Sequence, residues 1–258
     1  MEDYKQEFER VSVYGPPSDE PAHLTRFKQE SRNENFRVSV LTWVSLFFLV
    51  VLYPSQSLLM AEDPAVFLKN LNDGMLMVML LATIIVQWAI FAWLMLAIWR
   101  ERTDLAGLGF RRIRWMDFVW AIAFLLGANL ILSGLAWVLG QIGMPMAGEI
   151  ALLVPQDATG RLVWVGVSFT AGFTEEVMFR GYLMTRLRLV FKLPNWVVPT
   201  IVSALAFGAC HAYQGVPGLI VISVYGLMFS LLYIRTGSIW PCIIAHFFQD
   251  FSALFIPQ

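Results

Sequence analysis

The stretch Phe173-Thr-Glu-Glu-Val-Met-Phe-Arg-Gly-Tyr182 places two adjacent carboxylates, Glu175 and Glu176, inside an otherwise apolar run. Arg180 follows Glu176 by four residues, so these two side chains share one face of a helix. Ionisable side chains are costly in a helix of membrane length, and by default they mark a functional site. The stretch therefore predicts a membrane helix that carries chemistry, and the rest of the chain has to supply its partners.

The composition of the chain is that of a membrane protein. Of its 258 residues, 58% are hydrophobic and 14% are charged, against about 25% charged residues in a typical soluble domain. Several apolar runs reach the roughly 20 residues that a helix needs to cross a bilayer. We predict an all-α, polytopic membrane bundle of about seven transmembrane helices, at Val38–Leu59, Met75–Trp99, Phe118–Ile142, Leu162–Leu189, Trp196–Ala212, Val216–Ile234 and Ile239–Ile256.

Proline and glycine predict local features of these spans. Pro54 is expected to kink or end the first span, because proline lacks an amide hydrogen and clashes with the preceding turn. The fourth span is too long for a perpendicular crossing, so either it tilts or Gly172 breaks it just before the carboxylates. Gly181, Gly208 and Gly226 are expected to allow close helix approach.

The basic residues lie mainly on one side of the predicted bundle. The N-terminal tail and the second, fourth and sixth connections hold 15 of the 18 Lys and Arg residues. Because cytoplasmic loops are enriched in Lys and Arg, we predict an integral membrane protein, in the plasma membrane, with a cytoplasmic N-terminus. Residues 1–36 are interpreted as a polar cytoplasmic tail, 37–160 as N-terminal transmembrane helices and 161–258 as a catalytic transmembrane core. A net charge of −1 does not suggest a nucleic-acid partner.

All ionisable side chains well inside the predicted spans lie in the last four spans. They are Glu175, Glu176, Arg180, His211, His246 and Asp250. His246 and Asp250 share one helix face, as do Phe207 and His211, so three helices can bring imidazoles and carboxylates to one interior point. The spacing also divides the roles, because Arg180 compensates Glu176. Glu175 lies about 100° round the helix, lacks a partner on that helix, and suits a general base.

Two other interpretations of these residues stay open. A Glu–Arg pair in a membrane helix can be a purely structural contact, and a membrane histidine can be a hydrogen-bonded interior residue. Buried carboxylates and histidines also build the relays of proton- or ion-coupled transporters. A transporter is expected to carry polar residues in both halves, whereas here they are confined to one half.

Three motifs in this half resemble those of a known protease family. Glu175-Glu176-x-x-x-Arg180, Phe207-x-x-x-His211 and His246-x-x-x-Asp250 are similar to the motifs of the CPBP family, also called the Abi family. The family contains CAAX-prenyl-protease-type and bacteriocin-processing intramembrane proteases. The resemblance covers about Leu162–Ala253 and includes the run Ile234-Arg-Thr-Gly-Ser-Ile-Trp-Pro-Cys242.

The resemblance implies an intramembrane endopeptidase that cleaves a peptide or protein substrate at the lipid bilayer. Glu175 and His211 would activate a water, and His246 with Asp250 would form the oxyanion site. Asp250 donates a hydrogen bond only when protonated; paired with a charged imidazole it would instead orient His246. The family has also been described as metalloproteases, for which His211, His246 and Glu175 would be the zinc ligands.

The HExxH helix signature is absent, and we expect no metal cofactor. The alternative function within the family is a non-catalytic membrane scaffold or immunity protein of the same fold.

Overall fold

Seven helices make up the part of the chain that this computed structural model describes, residues 36–59, 72–146 and 153–255. These residues belong to a single unit, 35–258. The helices are α1 (Val40–Phe47, Phe48–Leu52 and Tyr53–Leu59), α2 (Asp73–Arg100), α3 (Trp115–Gln141), α4 (Ala158–Glu176, Val177–Leu183 and Met184–Val190), α5 (Val197–Ala209), α6 (Gly215–Thr236) and α7 (Trp240–Ser252). Short 3-10 turns lie at Leu105–Leu108, Ala212–Gln214 and Ala253–Phe255. The described ranges contain no strand, and the predicted all-α class is confirmed.

The predicted tail, residues 1–36, falls outside the described residues except for Phe36. The last residue of the seventh predicted span, Ile256, also lies outside them. The division of the remaining chain at residues 160 and 161 stays a prediction.

Five of the seven helices are long and apolar enough to cross a membrane: α1, α2, α3, α4 and α6. The other two, α5 and α7, have 13 residues each, which is about 20 Å of helix against a hydrocarbon core of about 30 Å. Large apolar side chains such as Leu126 (72% exposed) and Leu130 (76%) cover the outside of α3, as contact with lipid requires. The chain is an integral membrane protein, and two of its seven predicted spans are too short to cross a bilayer alone.

Helix α1 continues through Pro54 to Leu59 and does not end at the proline. The five residues just before this last segment, Phe48–Leu52, form a π-helical turn. A π turn changes the spacing of the carbonyl groups that a proline ring would otherwise meet. A π turn is a common cause of helix kinks, and the kink predicted at Pro54 itself stays a prediction.

Helix α4 is continuous through Gly172, so the alternative of a break at this glycine is wrong. A Cβ atom built on Gly172 would lie 2.7 Å from the backbone nitrogen of Phe247 in α7. The missing side chain therefore allows α4 to approach the backbone of α7. The irregular part of α4 follows the two carboxylates instead, as a π-helical segment, Val177–Leu183, in which every residue is buried.

Glycines also set the contact between α5 and α6. A Cβ on Gly208 would lie 2.9 Å from the carbonyl oxygen of Leu219, and one on Gly226 would lie 3.2 Å from Cα of Ala204. A Cβ on Gly181 would meet the nearest side chain at 3.1 Å. The close helix approach predicted at Gly208 and Gly226 is confirmed, whereas Gly181 lies against the side chain of Ile239 and the turn Leu105–Leu108.

The connection between α2 and α3 packs against the N-terminus of α7. Gly109 ends the turn Leu105–Leu108 with a positive φ of 87°, and its carbonyl oxygen accepts a hydrogen bond from the Ile239 amide at 3.1 Å. Trp240 donates from Nε1 to the carbonyl oxygen of Arg111 at 2.7 Å. The start of α7 is thus anchored at the end of the bundle that carries this basic connection.

A buried ion pair lies just inside the same end. Arg186 of α4 donates from Nε to Oε2 of Glu101 at 2.9 Å, and the carboxylate also accepts from Tyr182 at 2.7 Å and Thr42 at 2.8 Å. Glu101 is 0% exposed and Arg186 is 1% exposed. From the sequence, Arg186 is one of the basic residues counted in the fourth connection, and Arg180 is the one base expected to be buried. The second expectation is wrong, because Arg186 lies within α4 and is buried against Glu101.

Candidate active site

Helix α4 supplies a fully buried ion pair at the centre of the site. Arg180 donates from NH1 to Oε1 of Glu176 at 2.9 Å and from NH2 to the carbonyl oxygen of Gly226 at 3.2 Å. Its guanidinium carbon lies 4.3 Å from the ring centroid of Phe207 and 5.0 Å from that of Phe229. A buried charge is tolerated when it is paired and hydrogen-bonded, and cation–π contacts add to this. The predicted pairing of Glu176 with Arg180 is present.

Helix α7 brings His246 onto the same carboxylate. The distance from Nδ1 of His246 to Oε1 of Glu176 is 2.8 Å. A carboxylate that is paired with a guanidinium only accepts hydrogen bonds, so Nδ1 is the nitrogen that carries the proton. This contact fixes the plane of the imidazole, and it turns Nε2 towards the opposite side.

The free nitrogen of His246 faces two further carboxylates. Nε2 lies 3.9 Å from Oε2 of Glu175 and 3.6 Å from Oδ2 of Asp250. Both distances are too long for direct hydrogen bonds, and polar atoms at such separations are commonly bridged by a water. Nε2 of His246 therefore lies near both carboxylates without a direct hydrogen bond to either.

Glu175 has a partner that the sequence interpretation did not include. Its Oε1 accepts a hydrogen bond at 2.7 Å from Nε2 of Gln87, which lies in the middle of α2 and is 3% exposed. The sequence predicted that Glu175 lacks a partner on its own helix, and the partner that the structure shows comes from another helix, α2. Its second oxygen, Oε2, is the one that faces His246.

His211 lies just beyond the C-terminal end of α5, which stops at Ala209, and not inside a helix as predicted. Nδ1 of His211 is 2.9 Å from the carbonyl oxygen of Phe207. Because a carbonyl oxygen only accepts, Nδ1 carries the proton, and Nε2 of the neutral ring keeps its lone pair. The Phe207 ring lies 5.0 Å from the His211 ring and 5.9 Å from the His246 ring, measured between centroids. The predicted contact between Phe207 and His211 is present, and Phe207 packs against both histidines.

The structure does not bring His211 into an ion pair with Glu175, because no nitrogen–oxygen distance of 4.0 Å or less between them occurs among the described residues. His211 is linked to this region through Phe207, whose ring contacts both His211 and His246. The three helices α4, α5 and α7 therefore contribute to one region, with His211 further from the carboxylates than His246.

The exposed fraction of the side chains rises from Glu176 to Asp250 across the site. The Glu176 side chain is 0% exposed, that of His246 is 6%, that of Glu175 is 10% and that of Asp250 is 32%. Asp250 lies near the C-terminus of α7, whereas the N-terminus of that helix is anchored to the basic connection. The site thus becomes more open away from the basic end of the bundle.

The residues named as alternative zinc ligands do not form a recognisable metal cluster. Among residues 36–59, 72–146 and 153–255, no group of three or more His, Cys, Asp and Glu side chains has the arrangement of a metal site. The described residues therefore do not fit a zinc site.

One comparison with known proteins identifies the region that holds these residues. Residues 157–252 match the family model described as type II CAAX prenyl endopeptidase, Rce1-like. This segment is a CPBP-family region. It contains every predicted site residue and agrees closely with the range Leu162–Ala253 on which the resemblance rests. Neither a curated protein nor a solved structure gives a significant match to the chain.

The match to residues 157–252 supports a function of the CAAX-type intramembrane protease kind. Such a protease acts on a peptide or protein substrate, and the apolar helices place it in lipid. The contact from Gln87 comes from outside the matched segment. A search for neutral amide side chains in the first three spans would have included it, but together with Gln56, Asn129 and Gln141, so it would not have been singled out.

Proposed function

We propose that this protein is an intramembrane endopeptidase in which Glu175 and His211 activate a water. His246 and Asp250 hold the oxygen of the scissile carbonyl. Glu176 and Arg180 form the buried ion pair that supports the site, and the Phe207 ring separates the imidazoles of His211 and His246. The substrate is a peptide segment that enters the bilayer, and the catalytic step uses no metal.

The observation that carries the proposal is that Nε2 of His246 lies 3.9 Å from Oε2 of Glu175 and 3.6 Å from Oδ2 of Asp250. A water or carbonyl oxygen beside such a pair can contact both His246 and a carboxylate. Geometry of this kind is what a proton acceptor and an oxyanion donor require in order to act on neighbouring atoms. A structural role alone would be satisfied by a direct contact, as in the Glu176–Arg180 pair.

These groups account for every proton that moves in the proposed reaction. The water oxygen adds to the carbonyl carbon while Oε2 of Glu175 accepts the water proton, and negative charge forms on the carbonyl oxygen. His246 donates to that oxygen from Nε2 when the imidazole carries both protons. The carbon–nitrogen bond then breaks, and the proton held by Glu175 passes to the leaving amine. His211, with its lone pair on Nε2, assists the removal of the water proton.

Glu176 supports this reaction through His246. Because Oε1 of Glu176 accepts from both Arg180 and His246, the carboxylate fixes the orientation of the imidazole and compensates its charge. A third group that orients a catalytic histidine recurs in unrelated hydrolases. We also propose that the protein lies in the plasma membrane. The distribution of basic residues predicts that its N-terminus is cytoplasmic.

The test uses the purified protein in liposomes and a library of internally quenched peptides. The peptides are supplied in pairs, with and without a prenylated cysteine near the C-terminus, because the matched family is described as a prenyl endopeptidase. Glu175→Gln keeps the shape of the side chain and removes its basic oxygen. We expect cleavage to fall by at least about 100-fold, the usual scale for a positioned base, with an unchanged unfolding temperature.

Asp73→Asn is the matched control, since it makes the same carboxylate-to-amide change at an exposed residue in the first turn of α2. It should leave cleavage unchanged. Cleavage of any peptide by Glu175→Gln at the wild-type rate would contradict the role of Glu175.

A further inference from the structure

Gln87 is a buried amide whose two polar ends are both engaged by α4. Its Nε2 donates to Oε1 of Glu175 at 2.7 Å, and its Oε1 accepts from the hydroxyl of Thr174 at 2.7 Å. Thr174 and Glu175 are consecutive, so one amide spans two neighbouring side chains of α4. Thr174 is 0% exposed. Its single hydroxyl hydrogen is shared with the carbonyl oxygen of Thr170, 2.9 Å away.

The orientation of the Gln87 amide is fixed by its contact with the Glu175 carboxylate. In this orientation the Thr174 hydroxyl shares its single hydrogen between Oε1 of Gln87 and the carbonyl oxygen of Thr170, both of which accept. If the amide were flipped, its oxygen would face the Glu175 carboxylate, and two acceptors would lie 2.7 Å apart in a buried site. The amide nitrogen therefore points at Glu175.

This arrangement distinguishes the two oxygens of the Glu175 carboxylate. Oε1 is held by Gln87, and Oε2 faces Nε2 of His246 at 3.9 Å. We propose that Gln87 is a positioning residue for Glu175: it holds Oε1 so that Oε2 is the oxygen presented to the reacting water, and Thr174 orients the amide for this purpose. The inference rests on the proposed role of Glu175 as the base.

A merely structural role for Gln87 would be to join α2 to α4. A nearby contact does that without touching Glu175: Trp88 donates from Nε1 to Oγ1 of Thr170 at 3.1 Å. Trp88→Phe removes this second hydrogen bond between the same two helices. It is therefore a matched control for the general loss of a polar contact between α2 and α4.

The main variant is Gln87→Met, which keeps the length of the side chain and removes both hydrogen-bonding ends. On a peptide that the wild type cleaves, we expect kcat to fall roughly 10- to 100-fold, the scale of one hydrogen bond to a charged group, with KM within about threefold of wild type. Trp88→Phe should keep kcat within about twofold. Equal losses of kcat in Gln87→Met and Trp88→Phe, or an unchanged kcat in Gln87→Met, would overturn the proposal.

Thr174 gives a second test. Thr174→Val removes the hydroxyl with little change in shape and should lower kcat, whereas Thr174→Ser keeps the hydroxyl and should restore most of it. Because Thr174 acts through Gln87, adding Thr174→Val to Gln87→Met should lower kcat no further. A further fall of the size seen in Thr174→Val alone would show that the two residues act independently.

A spectroscopic test does not depend on cleavage. The infrared difference spectrum of wild type minus Glu175→Gln isolates the carboxylate bands of Glu175. These bands should shift in Gln87→Met and stay in place in Trp88→Phe. Unchanged bands in Gln87→Met would refute the contact in solution. The two proposals can fail separately. If Glu175→Gln cleaves at the wild-type rate, the proposed function is wrong. If Glu175→Gln is inactive while Gln87→Met is fully active, only the inference about Gln87 is wrong.

Discussion

Replacing Gly172 by alanine should separate the two helices that form the site. The new Cβ would lie 2.7 Å from the backbone nitrogen of Phe247, and ordinary contact begins at 3.4 Å, so α7 must move by about 0.7 Å. Backbone cannot move aside as a flexible side chain does. His246 precedes Phe247, and the same displacement would lengthen its 2.8 Å contact with Glu176 to about 3.5 Å, the limit of a hydrogen bond.

The consequences for stability and for activity differ in size. Overpacking costs about 1–3 kcal/mol, and the better helix propensity of alanine returns up to about 1 kcal/mol, so the unfolding temperature should fall only slightly. Misplacing a catalytic group by about 1 Å can cost about 100-fold in rate. We expect kcat on a cleaved peptide to fall by about 10- to 100-fold in Gly172→Ala, with most of the protein folded.

The control is Gly134→Ala in α3, where a new Cβ meets nothing within 4 Å. It should leave kcat unchanged and should not lower the unfolding temperature. Both variants are measured in the same liposomes by peptide cleavage and by tryptophan fluorescence on heating. A Gly172→Ala protein with the wild-type kcat would refute the view that this contact sets the distance between His246 and Glu176.

Three further outcomes are expected. Arg180→Ala leaves Glu176 buried without a positive partner, at a cost of about 3–5 kcal/mol, so size-exclusion chromatography should show much less folded protein; a normal yield would contradict the buried ion pair. Cleavage should survive exhaustive chelation, and metal analysis should find no stoichiometric zinc, whereas activity lost on chelation and restored by zinc would establish a metalloprotease. Tyr213→Cys, in a background without Cys210 and Cys242, should react with an impermeant thiol reagent from outside intact cells; labelling only after permeabilisation would reverse the predicted orientation.

The sequence predicted the features of this protein that have strong energetic signatures. Apolar runs of membrane length predicted seven helices, because backbone polar groups buried in lipid must form hydrogen bonds within the same segment. The i,i+4 spacing of Glu176 and Arg180 predicted their contact, and the same spacing placed Asp250 beside His246. Each of these follows from one helix or from a large desolvation cost, and so needs no knowledge of the packing.

Features that depend on the packing could not be read from the sequence. Gln87 is neutral, and one amide in an apolar run carries too small a penalty to be singled out. Arg186 follows a long apolar run and fits a cytoplasmic connection equally well until α4 is seen to stay against Glu101. Gly172 can either break a helix or allow a close contact, and the choice depends on whether another backbone lies opposite, as that of Phe247 does.

The π-helical segment Val177–Leu183 constrains the length of α4 as well as its composition. A π turn amounts to one residue inserted into an α-helix, and it rotates all later residues by about 100° relative to an uninterrupted helix. Glu176 lies before the inserted residue, and Arg186, which pairs with Glu101, lies after it. Deleting one residue inside the segment would restore regular α geometry and leave Arg186 facing its partner, because the π turn already absorbs one extra residue. A single-residue deletion in the regular part of α4 before it, where nothing absorbs the shift, should therefore be more harmful than one inside Val177–Leu183.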